Sequence, residues 1–306
     1  MPKALPKRFT DQAAARQHLE GLLWPSGPVC PHCGVVNEAT ALKGQSTRPG
    51  VYWCNACQKP FSVTVGTVYE SSKVPLHTWL YATHLLCSSK KGISSQQLAR
   101  MLGVTVKTAW FMSMRIRAAM APAADAGQLG GEGKTAEADE TEIGKSTKSR
   151  PRRKPNMKFV SLVERGGRVR SRKIMGAKGS IGGEIRDMLI QNIHPVSALH
   201  TDGAPHYIPI PFAHESVDHN KTYVRRTPEG VKVHTNSAEG YFSIFKRGLV
   251  GTYQHMSEQH LSRYLAEFDF RMSYRVKRGY SDDMRADVAL KGIAGKRLMY
   301  RRPHAA

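Results

Sequence analysis

The sequence predicts a multidomain α/β chain in which a small cysteine ribbon and a helix-turn-helix precede a larger mixed-sheet domain. Three observations point there. Two cysteine pairs, Cys30-Pro31-His32-Cys33 and Cys54-Asn55-Ala56-Cys57, stand twenty residues apart. At that spacing two hairpin turns each offer two thiolates to one tetrahedral zinc ion. Between about 75 and 120 apolar residues recur at helical intervals, with a break at Gly103. From 136 onward a βββαβ-like succession begins. At 306 residues the chain has room for two or three domains and at least one sizeable core.

In chain order, residues 8–28 read as a short helix stopped by Trp24-Pro25-Ser26-Gly27-Pro28. The ribbon runs to about residue 68, with strands at Val51-Tyr52-Trp53 and the alternating Phe61-Ser62-Val63-Thr64-Val65. So short a segment has little core of its own, which makes metal a condition of its folding. Helices are expected over 76–88, over Ser94–Leu102 and from Val106. The last two, separated by Gly103 and with Thr105 as cap, have the layout of a helix-turn-helix. Ala109, Trp110, Ser113 and Ile116 are expected to face inward, leaving Lys107, Thr108, Arg115 and Arg117 for phosphate or base contacts. An ordinary helical hairpin shares this pattern; the ribbon upstream favours DNA.

Ala121–Gly133, rich in Ala and Gly, reads as a linker. Beyond it come a strand at Ala136–Ile143 and a hairpin of Lys158–Glu164 and Arg168–Met175 across Gly166-Gly167. A helix over 181–193, a buried strand at Ser197–Thr201, and helices over 237–250 and 257–275 follow. The expected domains are therefore 1–70, 71–120 and 134–306, joined by the linker 121–133.

Lys and Arg total 46 against 24 Asp and Glu, a formal net charge of +22. Solubility needs far less, so a polyanion, DNA or RNA, is the expected partner. No apolar run is long enough to span a bilayer and no signal peptide is evident, so a cytoplasmic, nucleoid-associated location is expected, where thiols bind metal more often than they pair. Cys87, in an apolar run, is expected to be a buried bystander.

Against this basic background three acids stand out. Asp139 lies in Glu137-Ala138-Asp139-Glu140-Thr141-Glu142, too polar for an ordinary core strand. Asp202 ends a buried strand, and Glu239 sits at the edge of the apolar stripe of its helix, with Lys246 about two turns, roughly 10 Å, further on. Carboxylates on two strands and a helix suit a pair of Mg²⁺ or Mn²⁺ ions about 4 Å apart. Glu140 and Glu142 are rivals for the first ligand, disfavoured because strand alternation turns them away from the Asp139 side.

Together these blocks resemble a bacterial insertion-sequence transposase of the acidic-triad (DDE) class, from the family with an N-terminal zinc ribbon. The resemblance is carried by Trp24-Pro25-Ser26-Gly27, Phe61-Ser62-Val63-Thr64-Val65-Gly66-Thr67, Asp139-Glu140-Thr141, Thr201-Asp202-Gly203, His234-Thr235-Asn236 with Glu239-Gly240, Lys246-Arg247-Gly248, and Gly251-Thr252-Tyr253-Gln254-His255. It departs at Glu142, where an aromatic residue is expected, and at Lys145, where a second glycine is usual. The resemblance implies a ribonuclease H-like catalytic domain, with Asp139, Asp202 and Glu239 as catalytic metal ligands and Lys246 beside them. It implies one structural zinc on Cys30, Cys33, Cys54 and Cys57, cleavage at terminal inverted repeats, and joining of 3′-hydroxyls to double-stranded target DNA by a homodimer or larger multimer.

Other features compete for a role. The basic run from Lys145 through Arg152, Arg153 and Lys154 is either a phosphate-gripping loop or a solvated linker, and Lys246 and Arg247 are further cations for DNA. His200, His206, His214 and His219 match no familiar metal spacing. His260 and Arg263 with Tyr300 offer a faint tyrosine-recombinase pattern, explained equally by exposed positions on a helix. The rival functions are a zinc-ribbon transcription regulator with an inert C-terminal domain and a nuclease of the same fold that never joins strands.

Overall fold

Asp11 starts the first helix. Its side chain accepts a hydrogen bond from the Ala14 amide, and Gln12–Leu23 (α1) ends before Pro25. The computed structural model describes residues 4–123, 125–144, 157–176, 181–207, 210–219, 221–296 and 298. The ribbon has three short antiparallel strands, Ala39–Ala41 (β1), Tyr52–Cys54 (β2) and Pro60–Phe61 (β3). The alternating 61–65 run does not continue as a strand: the Val65 amide bonds Ser62 O and the Thr67 amide bonds Thr64 O, curling the chain into turns. Trp24, Tyr52 and Phe61 pack edge-on and stacked at 5.5–5.8 Å against Cys30 and Cys54, a core about as small as the sequence implied.

Leu76–Ser88 (α2), Ser95–Leu102 (α3) and Val106–Met120 (α4) follow. Ser94 caps α3, Gly103 takes the left-handed conformation (φ +64°) that turns the chain, and Thr105 caps α4 through the Thr108 amide. Cys87 is fully buried on α2, as expected.

The mixed sheet comprises Thr135–Ile143 (β4), Met157–Glu164 (β5), Val169–Ile174 (β6), Ala198–Thr201 (β7) and Ala213–Ser216 (β8), in the order β6-β5-β4-β7-β8. β5 runs antiparallel to β4 and β6, while β7 is parallel to β4 and β8 to β7. The intervening helix Ile181–Asn192 (α5) buries Ile185, Met188 and Leu189 against Ala136, Ala138, Val160 and Leu162 on one face. A two-stranded ribbon, Arg225–Arg226 (β9) with Lys232–Val233 (β10), precedes Asn236–Gly248 (α6). On the opposite face Phe242 and Phe245 of α6 pack on Phe159, and Phe245 meets Phe268 of Leu261–Ser273 (α7). Strand alternation thus turns Glu137 and Asp139 toward the α6 side and Glu140 toward the α5 side. The expected fold class, a ribbon and helices followed by a mixed-sheet α/β domain, is the one observed.

One boundary differs. The final helix, Asp282–Lys291 (α8), capped by Ser281, belongs with the N-terminal unit rather than with the mixed sheet. It packs on α1, α2 and α4; the Val68 amide bonds Ile293 O and the Gly295 amide bonds Gly66 O. The compact units are residues 1–121 with 281–306, and residues 122–280. No helix among the described residues is long and apolar enough to cross a membrane.

Candidate active site and metal centre

The four ribbon cysteines converge. Their sulfurs lie within 4.8 Å of one another, with Cys30–Cys57 and Cys33–Cys54 Sγ separations of 3.6 Å. Tetrahedral zinc–thiolate bonding demands sulfur separations of about 3.8 Å. The Val29–Val36 bridge and the turn closed by Gly34 N to Cys30 O shape the first knuckle. In the second, the Cys57 amide points at Cys54 Sγ (3.5 Å) and pulls that thiol down to about 7. The donor set fits one structural zinc.

In the larger unit Asp139, Asp202 and Glu239 come from β4, the turn after β7, and the first turn of α6. Burial raises the Asp139 carboxyl to about 7, reinforced by the charges of Asp202, Glu140 and Glu239. Asp139 Oδ1 accepts from the Glu140 amide at 2.8 Å, and Asp202 Oδ1 from the Ala204 amide at 3.1 Å. Glu239 meets the His219 ring at 3.3 Å, while the other ring nitrogen of His219 reaches Thr235 Oγ1 at 3.1 Å. The carboxylates repel one another without closing as tightly as the thiolates; among the described residues the cysteines alone form a three-or-more-ligand cluster at that spacing.

Glu140 is engaged elsewhere, accepting from Tyr207 OH at 2.6 Å and lying 3.0 Å from His206. Glu142 is exposed and pairs with Lys158. The four histidines considered for a metal take separate partners: His200 meets Arg165, His206 meets Glu140, His214 meets Thr201 and His219 meets Glu239. His260 Nδ1 accepts from Arg263 Nη1 at 2.8 Å, and Tyr300 lies outside the described residues, as do Arg152, Arg153 and Lys154. Lys246 and Arg247 are exposed in the last turn of α6.

The face of α4 expected to meet DNA offers fewer exposed cations than the sequence implied. Arg117 is buried (1% exposed), with Nη1 donating to Ser113 Oγ at 2.9 Å one turn earlier on the same helix. Arg115 donates to the carbonyls of Leu298 and Glu70 and stacks 4.7 Å from the Phe111 ring. Neither is a free DNA contact. Lys107 is exposed and Thr108 half-exposed at the start of α4.

A residue not singled out from the sequence is the most deeply buried acid of β4. Glu137 has no exposure, pairs with Arg165 at 2.6 Å and accepts the amides of Ser237 and Ala238 at 2.7 and 3.1 Å. Burial and the Arg165 charge lower His200 to about 4, so its ring is neutral near pH 7 and accepts from Arg165 at 2.9 Å. The available signal was alternation, which puts Glu137 on the Asp139 face.

Comparison with known families defines the class. The ISXO2-like transposase domain matches residues 128–273, and the transposase zinc-ribbon domain matches residues 10–60. Both halves of the chain are thus similar to insertion-sequence transposases, the ribbon match preceding the transposase-domain match. The chain is 26% identical over 295 residues to a protein in transposable element ISH50 of Halobacterium salinarum, covering 89% of this chain and 95% of that one. No solved structure matches it.

Proposed function

We propose that this chain is a divalent-metal-dependent transposase of the acidic-triad class with a ribonuclease H-like catalytic domain. Asp139, Asp202 and Glu239 are its metal ligands. The reading is carried by one observation: Asp202 and Glu239, from two other elements, come close enough for their charges to add to the burial that lifts the Asp139 carboxyl to about 7. An all-oxygen anionic set of this kind favours Mg²⁺ or Mn²⁺ over softer metals. The strand order, with its single antiparallel member among parallel neighbours, supports the fold assignment.

Bound there, two such ions would activate water or a 3′-hydroxyl and stabilise the leaving oxygen. The chain's own part is placement. The three carboxylates fix where charge is neutralised, and Lys246 and Arg247 offer cations further along α6 for the DNA backbone. The zinc ribbon, with Lys107 and Thr108 opening the second helix of the helix-turn-helix, reads the terminal repeats. The substrates are double-stranded element ends and target DNA, bound by a homodimer or larger multimer.

The test is incubation of purified protein with labelled terminal repeats, a target plasmid and Mg²⁺. Joined products that vanish with EDTA are expected. Cleavage without joining would make the chain a nuclease, and sequence-specific binding without any cleavage would make it a regulator. A covalent phosphotyrosine intermediate would replace the triad altogether.

A further inference from the structure

Every element that carries a proposed metal ligand is anchored, two residues upstream of the ligand, to one ion pair between the buried Glu137 and the partly exposed Arg165. On β4 the anchor is Glu137 itself, two positions before Asp139 and on the same face of the strand. On β7 it is His200, two positions before Asp202, whose Nδ1 lies 2.9 Å from Arg165 Nη2. At the head of α6 it is Ser237, two positions before Glu239: its amide and hydroxyl reach the Glu137 carboxylate at 2.7 and 3.0 Å, and the Ala238 amide follows at 3.1 Å.

The helix needs this. Thr235, at its N-cap, makes no capping bond with its side chain. The first amides of a helix are otherwise orphaned and carry the positive end of its dipole. A carboxylate from the sheet supplies what the cap does not. Arg165, just beyond β5, then closes the frame: Nε donates to Glu137 at 2.6 Å, Nη1 to Lys232 O at 3.0 Å and Nη2 to His234 O at 2.9 Å. Its planar fork therefore holds β4, β7 and the approach to α6 at once, which a lysine ammonium has too little reach and too few fixed donors to do.

We propose that Glu137 and Arg165 are positioning residues that set the spacing of Asp139, Asp202 and Glu239. The inference rests on the proposed triad and deepens it. Glu137 and Arg165 make their hydrogen bonds to protein groups and act through the three elements they tie together. Misplacing a reacting group by about 1 Å costs on the order of 100-fold in rate, so loss of this frame should appear in catalysis before it appears in DNA binding.

The variants are Glu137→Gln and Arg165→Lys in the full chain, with wild type and Asp139→Asn beside them. Folding is followed by circular dichroism, end binding by gel shift, and cleavage over a Mg²⁺ titration. For folded Glu137→Gln and Arg165→Lys we expect unchanged end affinity, cleavage slower by about 100-fold, and a clearly higher Mg²⁺ concentration for half-maximal rate. A purely structural pair would lower thermal stability while leaving the half-saturating Mg²⁺ of the folded protein unchanged, and that result overturns the proposal. If Glu137→Gln does not fold, Arg165→Lys carries the test; if neither folds, the pair is a folding element and the proposal fails. Should wild type show no metal-dependent cleavage, or Asp139→Asn cleave normally, it is the triad itself that fails.

Discussion

Replacing Asp139 by Asn should stabilise the magnesium-free protein at pH 8 while abolishing its chemistry. The carboxyl is lifted from its ordinary 3.8 to about 7, first by burial and then by the charges of Asp202, Glu140 and Glu239. The folded state therefore holds this proton more tightly than the unfolded chain does. Stability from this group is fully present below pH 4 and is lost as pH rises through about 7. At about 1.4 kcal/mol per pH unit the full penalty at pH 8 is about 4 kcal/mol, and residual solvation of a half-buried group reduces it to about 2–4 kcal/mol. Asparagine keeps the acceptor for the Glu140 amide and carries no charge. Denaturant unfolding of zinc-loaded, magnesium-free protein at pH 5 and pH 8 measures the effect. The variant's advantage should be large at pH 8 and shrink at pH 5, and Mg²⁺ should stabilise wild type but not the variant. A variant less stable than wild type at pH 8, or an advantage independent of pH, would refute the electrostatic reasoning.

Glu239→Gln should abolish end cleavage with gel-shift affinity for the terminal repeats intact; loss of binding as well would make the residue structural. Cys30→Ser should release zinc, measured by a colorimetric chelator, and weaken specific end binding, since the other three thiols cannot complete a tetrahedral site. Arg117→Ala should lower stability by about 2 kcal/mol or more in thermal unfolding, as for other buried large-to-small changes, through loss of a fully buried side chain. Lys107→Ala should leave stability unchanged but weaken DNA binding and reduce its salt slope by about one; a stability loss there would contradict the exposure of this residue.

Much of the fold was legible because its signals are local. Thr105 and Ser94 announce their helices as caps, Gly103 announces the turn, and the strand from Ala136 is read from its alternation. What stayed hidden depends on distant partners. Arg115 looks like an outward cation until the carbonyls of Glu70 and Leu298, far off in the chain, take its guanidinium. Alternation puts Glu137 on the Asp139 face, away from Glu140 and Glu142, but only the pairing of β4 with β5 and β7 brings Arg165 and His200 to it. The cysteine ligands were readable from spacing alone, since both pairs sit within single turns. The acids were readable one by one, but their meeting is a property of the sheet order.

The most direct test is a crystal structure of the protein on its cleaved terminal repeat with Mn²⁺, phased for anomalous scattering. The account predicts manganese peaks coordinated by oxygens of Asp139, Asp202 and Glu239 together. Manganese bound elsewhere, with any of these three carboxylates left uncoordinated in a complex that has cut its DNA, would contradict it.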